Sequence, residues 1–179
     1  MTGIELKTIE KGHLHIYTGN GKGKTTAAFG LALRAAMAGK KVFVGQFVKS
    51  MRYHETEIES SLPQIHTEQF GRGCFIGRNP EEADKEAARK GLECCREALS
   101  GKEYDLVILD ELNIALYFGL LTAGEVLEAL HNRGEQVEAV VTGRYAPQEL
   151  IDAADLVTEM TEIKHYYQKG VESRDGIDR

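Results

Sequence analysis

Tryptophan is absent from this chain of 179 residues, and cysteine occurs only three times. Cys94 and Cys95 are adjacent and Cys74 stands alone, so neither a disulfide framework nor a zinc-binding spacing can be built from them. Three unpaired thiols suit a reducing cytoplasm. Long apolar runs are also missing. The longest uncharged stretch, Leu112 to Gly124, is too short to cross a bilayer core of roughly 30 Å. The N-terminal residues carry no apolar segment of the kind a secretory signal needs. A positive excess is missing as well: 28 acidic against 22 basic side chains leave a formal charge of −6. That argues against a non-specific nucleic-acid binder, whose phosphate contacts need dense Lys and Arg. It leaves room for a small anionic ligand, which responds to the local field. The six histidines show no metal-ligand spacing, and neither a Gly-x-Ser-x-Gly elbow nor a Ser-His-Asp set is present.

What is there describes one globular α/β domain over residues 1–179, with 42% apolar and 28% charged residues. His13 to Thr18 reads as a strand ending at a glycine cluster. Thr25 to Ala38 reads as a helix, with Ala28, Leu31, Ala35 and Ala38 on one stripe and Gly39 at its end. Val42 to Val48 is apolar almost throughout, as a strand buried on both faces would be. Lys49 to Pro63 is a surface loop or short helix, and Gln64 to Phe70 a weaker strand. Asn79-Pro80 opens a long helix whose buried stripe is Ala83, Ala87, Ala88, Leu92, Cys95 and Leu99. Tyr104 to Leu109 is a strand, and Thr122-x-x-Glu125 is a capping box before a helix ending near Asn132. A strand at Glu138 to Val141, a helix at Pro147 to Ala154 and a strand at Leu156 to Ile163 complete the pattern. Strands alternating with helices predict a mostly parallel sheet flanked by helices on both faces. The charged tail, 164–179, reads on composition as a mobile end, with a segment that folds over a loaded ligand site, or reaches a neighbouring subunit, as the alternative.

Thr18-Gly19-Asn20-Gly21-Lys22-Gly23-Lys24-Thr25 lies between the first strand and the first helix. It follows the phosphate-loop pattern G-x-x-x-x-G-K-[ST] except at Thr18, where the first glycine belongs. The composition has a chemical reason. Glycines let backbone N–H groups turn inward around phosphate oxygens, and the helix N-terminus adds partial positive charge. Lys24 supplies a full charge, the Thr25 hydroxyl is a Mg²⁺ ligand, and Lys22 is a second cation. Leu106 to Leu109 followed by Asp110-Glu111 is the matching strand with carboxylates at its end. In a hydrolase Glu111 orients the attacking water; in a transferase it holds Mg²⁺ or ribose. The spacing fits either. Arg144 follows a strand at the sheet's expected carboxyl edge, where ligands bind in open α/β sheets. Arg34 lies about three turns into the first helix. Phe70-Gly71-Arg72-Gly73-Cys74-Phe75 combines glycine, apolar and charged residues, which suits a segment closing on a flat amphipathic ligand.

The segment Tyr17 to Gly30, reading YTGNGKGKTTAAFG, resembles the signature of the P-loop type ATP:corrinoid adenosyltransferases. The resemblance continues through Gln46-Phe47, Leu109 to Asn113, Val141 to Arg144, Ala153 to Met160, Lys164-His165 and Gly176-Ile177, so it spans nearly the whole chain. It implies a RecA-like domain acting as a homodimer, with ATP as co-substrate and Mg²⁺ (or Mn²⁺) as cofactor. It implies as substrate a reduced corrinoid, cob(I)yrinic acid a,c-diamide or cob(I)alamin. A reduced flavoprotein or flavodoxin is implied as electron donor, with neither nucleic acid nor membrane as partner. In such enzymes Co(I) attacks the 5′ carbon of ATP and triphosphate leaves, in adenosylcobalamin biosynthesis or salvage. Carried onto this chain, Gly19, Asn20, Gly21, Lys22, Gly23, Lys24, Thr25 and Thr26 hold the nucleotide, with Arg34 and Arg144 as further contacts. Lys24 and Glu111 take the catalytic places, and Thr25 and Glu111 the metal. Family members carry aromatic residues after Gly73 that help displace the corrinoid's lower ligand. Here the segment reads Cys74-Phe75-Ile76, so either Phe75 serves or the substrate is a precursor lacking that ligand. The competing readings are an ATP hydrolase or small kinase on the same scaffold, and a non-catalytic nucleotide-binding regulator.

Overall fold

The computed structural model describes residues 11–49, 54–72 and 79–178. In chain order these form β1 (Leu14–Thr18), α1 (Lys24–Met37), β2 (Val42–Phe47), α2 (Ile58–Ser61), β3 (Ile65–Phe70) and α3 (Glu82–Ser100). They continue with β4 (Leu106–Asp110), α4 (Leu112–Tyr117), α5 (Ala123–His131), β5 (Glu138–Thr142), α6 (Gln148–Ala153) and β6 (Leu156–Glu159). The six strands make one sheet in the order β3-β2-β4-β5-β1-β6, and every pairing is parallel.

The two faces of the sheet carry separate cores, each built from alternate strand residues. Val42, Val44, Ile108 and Val140 pack under α1 through Ala28, Phe29, Ala32 and Ala36, with Ile58 of α2 beside them. Phe43, Phe47, Val107, Leu109, Ala139 and Val141 face the other way, onto α3, α4, α5 and α6. All residues of β2 and β4 are buried, which is why these strands read as continuous apolar runs. This is the α/β, RecA-like arrangement that the resemblance implied. Among the described residues no helix is long and apolar enough to cross a membrane.

Two local expectations change. The long helix begins at Glu82, with Glu81 at the cap donating its backbone N–H to the Asp84 carboxylate at 2.8 Å. Ala88, Leu92, Cys95 and Leu99 are buried as expected, but Ala87 is half-buried and Ala83 exposed. The residue one turn before Ala88 is Asp84, and it turns inward to serve the cap. Contact between α3 and the sheet depends on two glycines. A Cβ on Gly45 would stand 2.6 Å from the Cys95 Sγ, and one on Gly91 2.7 Å from the Phe70 side chain. The uncharged run after Glu111 holds a helix, α4, that periodicity did not reveal because six residues give too short a stripe. The capping box of α5 forms: Thr122 donates its N–H to Glu125 at 2.8 Å, and its hydroxyl accepts the Glu125 N–H at 3.3 Å.

Candidate active site

The glycine-rich loop joins β1 to α1 and lies against the end of β6, the neighbour of β1 in the sheet. Gly21 donates its N–H to the Met160 carbonyl at 2.6 Å. A Cβ there would approach that same oxygen to 2.7 Å. Gly23 caps α1 at φ 116°, a left-handed conformation that favours glycine. Thr18, the departure from the loop pattern, ends β1 as a buried residue. Its hydroxyl accepts the Ala146 N–H at 3.3 Å, tying the loop's base to the segment after β5. A glycine at this place would lose that tie.

Lys24 is only 7% exposed. Its ammonium donates to the Gly19 carbonyl at 2.7 Å and the Gly21 carbonyl at 2.8 Å, leaving one N–H for a ligand. Burial pulls its pKa below the ordinary lysine value, while the nearby Glu111 carboxylate acts the other way. The sequence offers Lys24 as a full charge for the ligand; the structure also makes it a strut inside the loop.

Asp110, at the end of β4, is fully buried and accepts from four side chains. Thr142 and Thr25 donate their hydroxyls to Oδ1 at 2.7 and 2.9 Å, and Lys49 and Gln46 donate to Oδ2 at 2.8 and 3.0 Å. Burial alone would raise the carboxyl's pKa, but the Lys49 ammonium and the two hydroxyls outweigh it and hold the group ionised. Lys49 in turn stands 3.5 Å from Glu55. Burial works against its charge, and Asp110 raises its pKa above the ordinary value. Glu111 follows at φ 59°, its N–H donated to the Thr142 hydroxyl at 3.0 Å. Burial, reinforced by the Asp110 charge, raises the Glu111 carboxyl above the ordinary range.

Lys24, Thr25, Lys49, Glu55 and Glu111 border a cavity of about 660 Å³, within the range typical of small-molecule sites, and Asp110, Gln46 and Thr142 lie buried behind it. Of the residues read from sequence, Gly21, Lys22, Gly23, Lys24, Thr25, Thr26, Glu111 and Arg144 line it. Gly19 and Asn20 instead border an adjoining groove of about 440 Å³ with Tyr145 and Val157. Arg34 is exposed and borders neither. At 1.5 Å per residue it lies about 15 Å along α1 from Lys24. Phe75 lies outside the described residues. Sequence reasoning missed Lys49, Gln46, Thr142 and Glu55, and it gave Asp110 no role of its own. A signal existed for Gln46: it is a polar residue in an otherwise apolar strand, and it pairs in register with Asp110.

The cavity gathers the cations Lys22, Lys24, Lys49 and Arg144 on a chain of formal charge −6, which suits a polyanion held by local field. Among the described residues no three His, Cys, Asp or Glu side chains converge as a metal cluster. The donors that border the cavity are hard oxygens, the Thr25 hydroxyl and the Glu111 carboxylate. They fit a Mg²⁺-like ion that completes its shell with phosphate oxygens and water.

The Glu111 shift has a testable consequence. A carboxyl whose folded pKa is raised contributes stability that is full below its unfolded value and is lost as pH rises through the folded one. Glu111→Gln is therefore expected to melt no lower than the parent at neutral pH and to flatten the decline in melting temperature above the ordinary carboxylate range. Its turnover should fall on the order of 10²-fold. A lower melting temperature at neutral pH would refute the burial cost assigned to this carboxylate.

Comparison with known proteins follows the same line. A family model for ATP:corrinoid adenosyltransferase BtuR/CobO/CobP matches residues 10–178. A corrinoid adenosyltransferase of Escherichia coli strain K12 is 37% identical over 172 residues, covering 94% of this chain and 86% of the relative. The corrinoid adenosyltransferase CobA of Salmonella typhimurium is 36% identical over 172 residues, with coverage of 94% and 86%. One from Pseudomonas aeruginosa is 35% identical over 171 residues, with coverage of 94% and 84%. The chain belongs to the ATP:corrinoid adenosyltransferase family.

Proposed function

We propose that the cavity binds ATP and that the chain transfers its 5′-deoxyadenosyl group to the Co(I) of a reduced corrinoid, releasing triphosphate. The observation that carries this reading is the polyphosphate cradle, with Lys24 and Thr25 at the start of α1 and Asp110-Glu111 across from them. Family membership supplies the reaction. Cobalt brings the electron pair: the Co–C5′ bond forms, the C5′–O bond breaks, and the leaving triphosphate takes the bonding pair. The chain therefore needs neither a base nor a nucleophile of its own. Its work is positioning and stabilisation of charge growing on the leaving oxygen. The loop and the Lys24 ammonium hold the terminal phosphate, so the nucleotide runs with its ribose away from the loop. Lys22, Lys49 and Arg144 compensate charge on the rest of the chain of phosphates. Mg²⁺ or Mn²⁺, held by the Thr25 hydroxyl and Glu111, supplies further neutralisation of the triphosphate.

The rest of the reading follows from the resemblance: a homodimer in the cytoplasm, cobalt reduced by a flavoprotein or flavodoxin, and Phe75 at the corrinoid. Cys94 and Cys95 are free thiols in the fold, as a reducing compartment allows.

The test is anaerobic incubation with ATP and chemically reduced corrinoid, followed by product analysis. Adenosylcorrinoid and triphosphate should appear in equal amounts. ADP with phosphate or with a phosphorylated acceptor would favour a hydrolase or kinase. Excess chelator should abolish turnover, and Mg²⁺ should restore it. Full activity in chelator would reject the metal assignment.

A further inference from the structure

The outer wall of the cavity is the segment after β6, which folds back across the glycine-rich loop. His165, Ser173, Gly176, Ile177 and Asp178 all border the cavity. The contact centres on Lys22, the cation that the general loop pattern does not require. Its ammonium donates to the Ile177 carbonyl at 2.9 Å and pairs with Asp178 Oδ1 at 2.8 Å. Asp178 is itself held from three sides. The Tyr166 hydroxyl donates to Oδ1, and the Arg174 guanidinium and backbone N–H donate to Oδ2, each at 3.1 Å. Arg174 also lies over the Tyr166 ring, 4.8 Å from its centre. The Asp178 side chain is only 11% exposed, although the residues around it are charged and mostly solvated.

We propose that residues 165–178 are a built part of the ATP site, with Asp178 the positioning residue that fixes the Lys22 ammonium for the polyphosphate. An ammonium has three N–H donors. Ile177 and Asp178 occupy two, which leaves the third for a phosphate oxygen. A lysine on a glycine-rich loop would otherwise sample many rotamers and lose that freedom on binding. Here the cost is met before the ligand arrives, by a carboxylate clamped between a phenol and a guanidinium. The inference rests on the ATP reading of the cavity, and it adds a specificity element that the loop motif lacks. A short anion such as phosphate engages Lys24 alone, whereas a chain of phosphates reaches both lysines.

The experiment measures binding of triphosphate and of ATP to the full-length chain by calorimetry, for the parent, Asp178→Asn, Lys22→Met and the double variant. Asp178→Asn should weaken triphosphate by about tenfold, close to 1.4 kcal/mol, and leave binding of inorganic phosphate unchanged. Lys22→Met should weaken it at least as much, and the double variant should match Lys22→Met. That non-additivity separates action through Lys22 from a general loss of structure. Tyr166→Phe, which removes one clamp and keeps the carboxylate, should give a smaller loss in the same direction. In turnover, Asp178→Asn should raise KM for ATP with kcat at saturation nearly unchanged. Multiplying losses in the double variant, or tighter triphosphate binding by Asp178→Asn, would overturn the inference; the latter would mean that the carboxylate competes with phosphate for Lys22. A parent chain that binds no triphosphate would overturn the ATP reading itself and this inference with it.

Discussion

Replacing Lys24 by alanine should abolish adenosyl transfer and also loosen the fold. The rate loss is expected to reach 10²–10³-fold or more, the scale on which one preorganised charge acts in a site sheltered from water. The stability loss is the less obvious half. Lys24 is buried and bonded to the Gly19 and Gly21 carbonyls, so truncation leaves two loop acceptors without their donor. The cost is about 1–3 kcal/mol. Single-turnover rates and urea denaturation of the same preparation check the two losses, and calorimetric ATP affinity checks the loop's place in the nucleotide site. A folded variant with parental ATP affinity would remove this loop from the nucleotide site. A variant equally stable but inactive would mean that solvent readily replaces the ammonium at the two carbonyls.

The largest stability effect is expected at Asp110. Alanine there removes the acceptor of four buried or half-buried donors and takes from the Lys49 ammonium its nearer carboxylate, leaving Glu55 at 3.5 Å. Breaking a buried pair from one side typically costs about 3–5 kcal/mol, a large share of the stability of an ordinary domain. Asp110→Asn keeps the shape but turns an N–H₂ toward groups that themselves donate, so it should lose less than alanine and still more than a surface change. The pH dependence runs opposite to that of Glu111. A carboxylate held below its ordinary pKa contributes stability that is full above the unfolded value and disappears as pH falls through the folded one. The parent should therefore lose stability on acidification below the ordinary carboxylate range, with a shallower decline in Asp110→Asn. If Asp110→Ala melts at the parental temperature, the four-donor hub carries no energy and the account is wrong.

Placed together, Asp110 and Glu111 show how adjacent carboxylates acquire different work. Asp110 points into the sheet's edge, and its donors hold it ionised. Glu111 sits one residue later in a left-handed conformation and borders the cavity. Burial pushes it toward the neutral form, which a bound cation would reverse. A linear sequence offers the pair Asp-Glu and no means to separate the anchor from the ligand-facing group. The difference arises from the chain's turn at Glu111 and from what crosses over Asp110.

Much of this molecule was legible in one dimension because the signals are local. Alternation of strands and helices, the capping box at Thr122 and the spacing of Gly23, Lys24 and Thr25 each depend on a few adjacent residues. So does the doubly buried character of β2 and β4, since a strand covered on both faces must be apolar throughout. What depended on strand order was not legible. β5 lies between β1 and β4, so Thr142 stands beside Asp110 and bonds it, while Thr25 reaches the same oxygen from α1. β2 lies on the other side of β4 and brings Gln46 and Lys49 to Asp110. The return of residues 165–178 over Lys22 is likewise a long-range contact of charged groups, and the tail's charge leaves open whether it folds back and which residue it meets. The sequence by itself determined the α/β class, the glycine-rich cradle and the carboxylates opposite it, because propensity, capping and backbone freedom act over a turn or less. Only the tertiary structure decided which carboxylate is the buried hub, that Lys24 braces the loop, and that residues 165–178 border the cavity beside Lys22. The Asp110 hub and the contact of the tail with Lys22 depend on desolvation and on partners brought from 32 to 155 positions away, and the Lys24 strut on how tightly the loop turns around the ammonium, none of which a local pattern encodes.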